Sequence, residues 1–392
     1  MFLTQFFRAD TPRFQKLVES WIQDDFVKEW KGEFEGEADF FGFPSRPPFY
    51  VGVGGMDAIP KHLLSQNHDA IQAWKGQRVS KLTRNDYTRT WTLYGTSGEA
   101  AYHDSKESIA RSVAPQPIGS GDYDVVVVTD VSSSFDAWHR ASAGLPAEFR
   151  QKVRKRAGSR TPLFSCMIAF KDPLPIDVSA AAITHDDLWF VARTSSKPGI
   201  VDVKDCWTLI STPSFAMRLI KETPMQDPKT GEFLPQEPGY LTTIPGPKLE
   251  NAFRKIISDG RLGGKSIPEE DIPPTIFLDA QRWGSALPAA RHLSESSSSR
   301  QVISGVAYDF CPKTPLAPTE LLGKDESYCN FVADNNQMLF QAGDMVSTYT
   351  PGFEGAALSG IEVAEHIYDL LSSLSPSSDN TFEDNENIIF PE

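Results

Sequence analysis

The residues best placed to do chemistry lie near the end of the chain. Phe340-Gln341-Ala342 runs into Gly343-Asp344, and Gly355-Ala356-Ala357-Leu358-Ser359-Gly360 follows after a loop. An apolar strand that stops at Gly-Asp, then a loop, then a Gly/Ala-rich helix start brings free backbone N–H groups and one carboxylate close to a bound polar ligand. The helix start favours negative or electron-rich atoms, and Asp344 is placed to accept from a ribose or ribityl hydroxyl. Taken singly, Asp344 reads as a turn residue and the small residues as a tight helix contact. Their coincidence points to a ligand site.

Other strings do not survive inspection. Gly260 to Ser266 ends in Gly264-Lys265-Ser266, but a phosphate-binding loop needs glycine at 259, where Asp259 stands. Gly52-Val53-Gly54-Gly55-Met56-Asp57 has two glycines of a dinucleotide fingerprint and Asp57 in place of the third. The Gly54-Gly55 pair still marks a turn that brings backbone close to something, because adjacent glycines are costly unless geometry demands them. The seven histidines form no HExxH or short-spaced pair, and no serine sits in a G-x-S-x-G elbow. No metal site is expected, and no catalytic side chain can be named.

Lys plus Arg is 38 against 52 for Asp plus Glu, a formal net charge of -14. Such a surface repels a phosphate backbone, so no nucleic-acid partner is expected. The basic run Lys152 to Arg156 reads as the solvated face of a helix. Cys166, Cys206, Cys311 and Cys329 are scattered, with no disulfide framework and no metal-ligand spacing. They read as free thiols of a reducing compartment, and a soluble intracellular, cytoplasmic protein is the default expectation. No window approaches a membrane-spanning apolar run.

The 392 residues allow two domains. Thr11-Pro12 opens a helix expected from Arg13 to Trp30, with Phe14, Leu17, Val18, Trp21, Ile22 and Phe26 at helical spacing. Gly32 to Pro48 reads as a loop, Phe49 to Val53 as a strand and Ile59 to Leu64 as a short helix. Gln77 to Leu82 and Thr90 to Tyr94 suggest a hairpin turning at Asn85-Asp86. Tyr123 to Thr129 carries Val125 to Val128, a β-branched run typical of a strand buried on both faces of a parallel or mixed sheet. Helix is expected from Phe135 to about Arg154, at Phe215 to Glu222, at Leu249 to Ile257 and at Gly355 to Leu371. Strands are expected at Leu163 to Phe170 and Asp187 to Ala192, with Ile276 to Trp283 running toward Ala286-Leu287-Pro288. Pro224 to Pro247 reads as a long loop, the serines at 294 and 296–299 as an exposed tip, and 373–392 as a disordered tail.

Ala342-Gly343-Asp344 … Phe353-Glu354-Gly355-Ala356 … Ser359-Gly360 … Ala364 resembles the C-terminal flavin-binding signature of the amine-oxidase superfamily, in particular its renalase-like branch. Weaker matches run in the family's order over roughly residues 3 to 370. They are Phe49-Tyr50-Val51-Gly52 with Gly54-Gly55-Met56, Arg78-Val79 with Trp91-Thr92-Leu93, Tyr123 to Val127, Ser196-Lys197-Pro198-Gly199 before Trp207, and Gln281-Arg282-Trp283. The resemblance implies FAD as cofactor and hydride transfer from a small reduced substrate, an amine or a dihydronicotinamide. It places Val79 at the adenine, Gly343 and Asp344 at the pyrophosphate and ribityl chain, and Gly355 and Ala356 at the isoalloxazine, and it counts Ser359 among the cofactor-binding residues. Gly54, Gly55 and Met56 approach from the domain boundary, and Trp283 walls the flavin or the substrate.

The implied fold is mixed, α/β and α+β, with an incomplete FAD/NAD(P)-binding Rossmann-like domain and a second, substrate-type domain on a mixed or antiparallel sheet. The expected division is 1–66 and 135–300 substrate-type, 67–134 and 301–372 FAD-binding, and 373–392 tail. One departure is large. The family's opening strand, G-x-G-x-x-G turn and helix are not in the sequence, whose Thr4-Gln5-Phe6-Phe7 resembles the segment that follows them. Two readings stay open: an incomplete copy of a flavoenzyme, or a protein that has lost the unit and holds FAD weakly or not at all. The latter also describes a cofactor-free interaction protein, with a partner covering the sheet edge that the missing strand would expose.

Overall fold

The computed structural model describes residues 5–66, 69–97, 116–136, 142–201, 203–225, 227, 234, 236–289, 300–303, 306–309, 330–349 and 351–374. The fold is mixed α/β, with several sheets, mixed and antiparallel.

Helix α1 (Pro12–Gln23) starts where Thr11 and Pro12 predict, with the Thr11 side chain accepting from the Phe14 N–H. It buries Phe14, Val18 and Trp21. It ends well before Trp30, because Asp24 caps it and Asp25 turns at φ 61. Phe26 and Val27 satisfy a helical period, yet strand β1 (Val27–Glu29) begins there. The expected loop at 32–48 holds a short strand, β2 (Phe34–Gly36). Strand β3 (Tyr50–Gly52) pairs antiparallel with β1, and Phe7 bridges to Tyr50. Helix α2 (Ala58–Gln66) follows the double-glycine turn.

Strands β4 (Gln77–Asn85) and β5 (Thr90–Ser97) form the expected hairpin, and β6 (Gln116–Tyr123) adds a third strand. Asn85 makes the turn by accepting from the N–H groups of Tyr87 at 3.0 Å and Thr88 at 3.3 Å. Strand β7 (Val126–Val128) is not buried on both faces; Val127 is 40% exposed. The long helix expected from Phe135 is also corrected. A short 3-10 turn covers Val131–Ser134, and α3 (Ala147–Ala157) begins only after Gly144, at φ 64, and Pro146. Arg154, Lys155 and Arg156 of the basic run sit in the last turn of α3, where cations complement the helix dipole.

The largest sheet is built on β8 (Arg160–Phe170). It also contains β9 (Ala180–Ala182), β10 (Leu188–Arg193), β11 (Asp205–Ser211), β12 (Thr275–Pro288), β13 (Arg300–Ile303) and β14 (Val306–Asp309). The order is β13-β14-β8-β11-β10-β9-β2, with β12 also on β8; β14 on β8 and β2 on β9 are parallel and the other pairs antiparallel. Because side chains alternate, β8 serves two cores. Phe164, Cys166 and Ile168 join the core under α4 (Pro213–Glu222), α5 (Tyr240–Thr243) and α6 (Pro245–Ser258), while Leu163 joins an aromatic core with α1. Helices α5 and α6 begin inside the stretch read as a loop to Pro247. Strands β9 and β11 have no counterpart in the sequence reading.

Strands β15 (Val332–Asp334) and β16 (Leu339–Gln341) complete the set, β16 lying parallel to β7, and α7 (Phe353–Leu374) follows. The expected tail begins two residues too early, since 373 and 374 are helical; 375–392, the serine run, Cys311 and Cys329 lie outside the described residues. Cys166 and Cys206 are free, and burial pushes the Cys166 thiol up to about 12, which leaves it inert.

Candidate ligand cavity between α1 and α7

The predicted strand–loop–helix block is real, and its own groups hold it together. Ala342 donates to the Val128 carbonyl at 2.9 Å, which continues the β7–β16 pairing. The chain then turns at Gly343, φ 120, where a Cβ would lie 3.3 Å from the Thr129 carbonyl. The Gly343 N–H donates to Ser359 Oγ at 2.9 Å, and the fully buried Ser359 hydroxyl donates to the Asn330 carbonyl at 2.7 Å. Asp344 reaches across the loop: its Oδ2 accepts from the Gly352 N–H at 3.1 Å. Two groups expected at a ligand therefore also tie β16 to the start of α7.

A cavity of about 1020 Å³ lies beside this block. One wall is the small-residue side of α7, with Ala356, Ala357, Gly360 and Ala364. Asp344 and Thr129 come from the ends of β16 and β7. The lining also includes Phe6, Phe7 and the α1 residues Leu17 and Trp21, with Pro60 and Leu63 of α2 and Leu163 and Leu287 of the large sheet. A Cβ built on Gly360 or Gly352 would meet nothing within 4 Å, so open space reaches the backbone itself.

Asp344 apart, no polar residue of this cavity had been assigned a role from the sequence. Glu354, 3% exposed in the first turn of α7, accepts from the N–H groups of Asp10 at 2.9 Å and Thr11 at 2.8 Å. It thus caps the N-terminus of α1, whose dipole favours a carboxylate there. Burial nevertheless raises the Glu354 carboxyl above its usual range, against those hydrogen bonds. Arg8 pairs with Asp10, and the two side chains are 9% and 5% exposed. Burial lowers Arg8 and raises Asp10, each against the pull of the other. Arg8 also donates to the Phe41 carbonyl at 3.2 Å, and Arg13 pairs with Glu365. Only Thr11-Pro12 signalled this region, as a helix start. Nothing in the sequence joins residue 10 to residue 354.

The other predicted site residues lie off the cavity wall. Gly54 and Gly55, at φ 81 and 136, make the turn into α2. Gly54 donates to the Pro198 carbonyl at 3.0 Å, and a Cβ on Gly199 would come within 2.6 Å of the Gly54 nitrogen. The close approach inferred from the two glycines is thus made to the Pro198-Gly199 turn. Met56 is buried in the aromatic core. Val79 pairs with Gly95 beside a bulge in β4 and packs on the core under α3. Trp283 donates to Ser165 Oγ at 2.9 Å and pairs with Leu163, a wall residue. Gly355 lies between wall residues of α7 without being one. The lining residues include no histidine, cysteine, serine, tyrosine or lysine, so carboxylates are the only acid–base groups on the described wall. The described residues hold no cluster of metal-ligating side chains, and none of their helices is long and apolar enough to cross a membrane.

No known family model matches the chain. Solved structures resemble it at low identity. A protein assigned as a protoporphyrinogen oxidase from Exiguobacterium is 12% identical, over 83% of this chain and 54% of its own, with a TM-score of 0.38. An aklavinone-11 hydroxylase, in complex with FAD and aklavinone, is 13% identical over 92% and 54%, with a TM-score of 0.42. An oxidoreductase from Methanosarcina mazei is 12% identical over 81% and 56%, with a TM-score of 0.37. The chain spans about half the length of the proteins it resembles. At TM-scores this low the likeness decides nothing about the site, which rests on its own residues.

Proposed function

We propose that the cavity binds the isoalloxazine ring of FAD and that the protein is a flavin-dependent oxidoreductase of amine-oxidase or renalase type. Its substrate is a small reduced molecule, an amine or a dihydronicotinamide. The observation that carries this reading is the 1020 Å³ apolar cavity whose wall on α7 is made of small residues and open above Gly360. A flat ring can lie directly on such a wall.

FAD when bound supplies the hydride-accepting ring. The chain's part is to bind, orient and keep water out. Phe6, Phe7, Leu163 and Leu287 make the enclosure apolar. Gly355 and Ala356 belong to the first turn of α7, whose positive end favours an electron-rich edge. Asp344 fixes the loop over that turn. The fit is to the ring half of the cofactor. The cations on the wall, Arg8 and Arg13, are already paired with Asp10 and Glu365, and the Gly343 N–H is already given to Ser359. A diphosphate therefore gains little from the described residues, and Val79, Gly54, Gly55, Met56 and Trp283 are proposed only as more distant supports.

Titration of the purified chain with FAD and with riboflavin, followed by flavin fluorescence and the visible spectrum, tests this. The expected result is saturable binding of both, with FAD no more than about threefold tighter. No flavin band and no saturable binding would overturn the flavin reading. A second reading is favoured by one observation: among the described residues β7 pairs only with β16, and Val127 on it is 40% exposed. It makes the chain a cofactor-free interaction protein whose partner covers that edge, and it predicts a melting temperature unmoved by excess flavin.

A further inference from the structure

We infer that Lys197 sets the charge of the ligand that the α1–α7 cavity accepts, and that this ligand is a planar apolar molecule with one negative group at its Gln5 end. The inference rests on the reading that this cavity is the ligand site, and not on that ligand being a flavin.

Lys197 follows a 3-10 turn, Thr194–Ser196, at the end of β10. Hydrogen bonds pin its backbone from several sides. The Lys197 N–H donates to the Thr194 carbonyl at 3.1 Å, and the Gly54 N–H donates to the Pro198 carbonyl at 3.0 Å. Trp30 Nε1 donates to Ser196 Oγ at 3.1 Å. From this fixed start the Lys197 side chain runs inward. Its ammonium lies over the Trp30 ring, 5.1 Å from the centroid, and donates to Gln5 Oε1 at 2.6 Å. Gln5, 6% exposed, belongs to the cavity lining. The ammonium is thus one side chain behind the wall.

Among the described residues no carboxylate pairs with Lys197, and burial alone shifts it. The charged groups on the segments around it are engaged elsewhere. Arg8 pairs with Asp10 beyond Gln5, Lys31 with Glu29 beside Trp30, Arg193 with Asp205 ahead of the turn, and Lys61 with Asp57 past Gly54-Gly55. Burial without a counter-charge pulls the amine from its ordinary 10.5 down to about 7. The Trp30 face and the Gln5 carbonyl offset only part of that cost. A buried charge acts through space, so a ligand need not touch it. A negative group brought to the Gln5 end supplies the missing counter-charge and draws a proton back onto the amine. One cation matches one negative group on a flat body, whereas a diphosphate would leave most of its charge unmatched against an apolar wall.

Naphthoate and naphthamide test this, since they differ in charge and little in shape. Ligand-observed NMR titrations of the whole chain at pH 7, without flavin, are expected to show naphthoate binding about fivefold more tightly. Calorimetry at pH 8, in two buffers of different ionisation heat, is expected to show about one proton taken up with naphthoate and none with naphthamide. Lys197→Met, which keeps an apolar stem and removes the charge, is expected to abolish the preference and the proton uptake together. Lys197→Arg is expected to keep the preference and lose the uptake, because a guanidinium stays charged at that pH. Equal affinity of the two probes for the unmodified chain overturns the inference, and so does a preference that survives Lys197→Met. Naphthoate binding with no proton uptake by the unmodified chain also overturns it, because another group then answers the charge. If neither probe binds, the inference falls. If Lys197→Met does not fold, the preference and the uptake on the unmodified chain still decide. The naphthoate preference without flavin binding would sink the flavin reading alone, and flavin binding without the preference would sink the Lys197 role alone.

Discussion

Strands β8 and β7 read alike in sequence and end in different surroundings. Leu163 to Phe170 and Val125 to Val128 are both apolar runs. In β8 nearly every residue is buried, because helices α4 and α6 cover one face and the aromatic core around α1 covers the other. In β7 the side chains stay partly open, and Val127 is 40% exposed. An apolar β-branched run therefore reports the capacity to be buried, and the burial itself is supplied by partners elsewhere in the chain. The cavity lies where the well-covered and the open regions meet, with Leu163 contributed by one and Thr129 by the other.

The sharpest way to break this comparison is the same substitution type in each strand. Ile168→Thr in β8, where the side chain is 1% exposed, is expected to cost about 2–4 kcal/mol through lost methyl packing and a buried hydroxyl. Denaturant titration reads it directly. A loss near zero would mean that the core under α6 is loosely packed.

The junction between the two regions comes next. Glu354→Ala removes the acceptor for the Asp10 and Thr11 N–H groups and is expected to cost about 1–3 kcal/mol. It should also change the pH dependence. Burial raises the Glu354 and Asp10 carboxyls in the folded state above ordinary values of 4.5 and 3.8. The folded protein thus holds their protons to higher pH than the unfolded chain. That contribution is fully present below the ordinary values and is lost as pH rises through the raised ones. Melting curves from pH 4 upward should show that downward component, and Glu354→Ala and Asp10→Asn should each flatten it.

Gly360→Ala is expected to stabilise α7 by about 0.5–1 kcal/mol, since its Cβ meets nothing and a helical glycine is costly. A destabilised variant would contradict open space at that position. Smallest of all is Val127→Thr on β7, expected to change stability by less than about 0.5 kcal/mol. A loss as large as that of Ile168→Thr would mean that β7 is covered after all.

What was legible in the sequence was contiguous. The β16–Gly343–Asp344–α7 block could be read because its strand, turn and helix start follow one another within a short span. The start of α1 could be read because Thr11-Pro12 states a cap and a first turn. Its end could not: Phe26 keeps a helical period, and only pairing with β3 draws the next residue into β1. The Arg8–Asp10–Glu354 group was illegible for the same reason, since it exists only once the start of α7 meets the start of α1. The double glycine gave the right physics, a close backbone approach, and the neighbour it meets is a second turn at Pro198-Gly199.

The central claim is that a ring lies on the α7 wall of this cavity. It is tested most directly by a fluorescence titration of riboflavin into the unmodified chain and into Gly360→Leu, whose side chain projects into the open space. The account predicts saturable binding to the unmodified chain, affinity lowered at least about tenfold in the variant, and a melting temperature no lower than before. Equal affinity in the two proteins would contradict it.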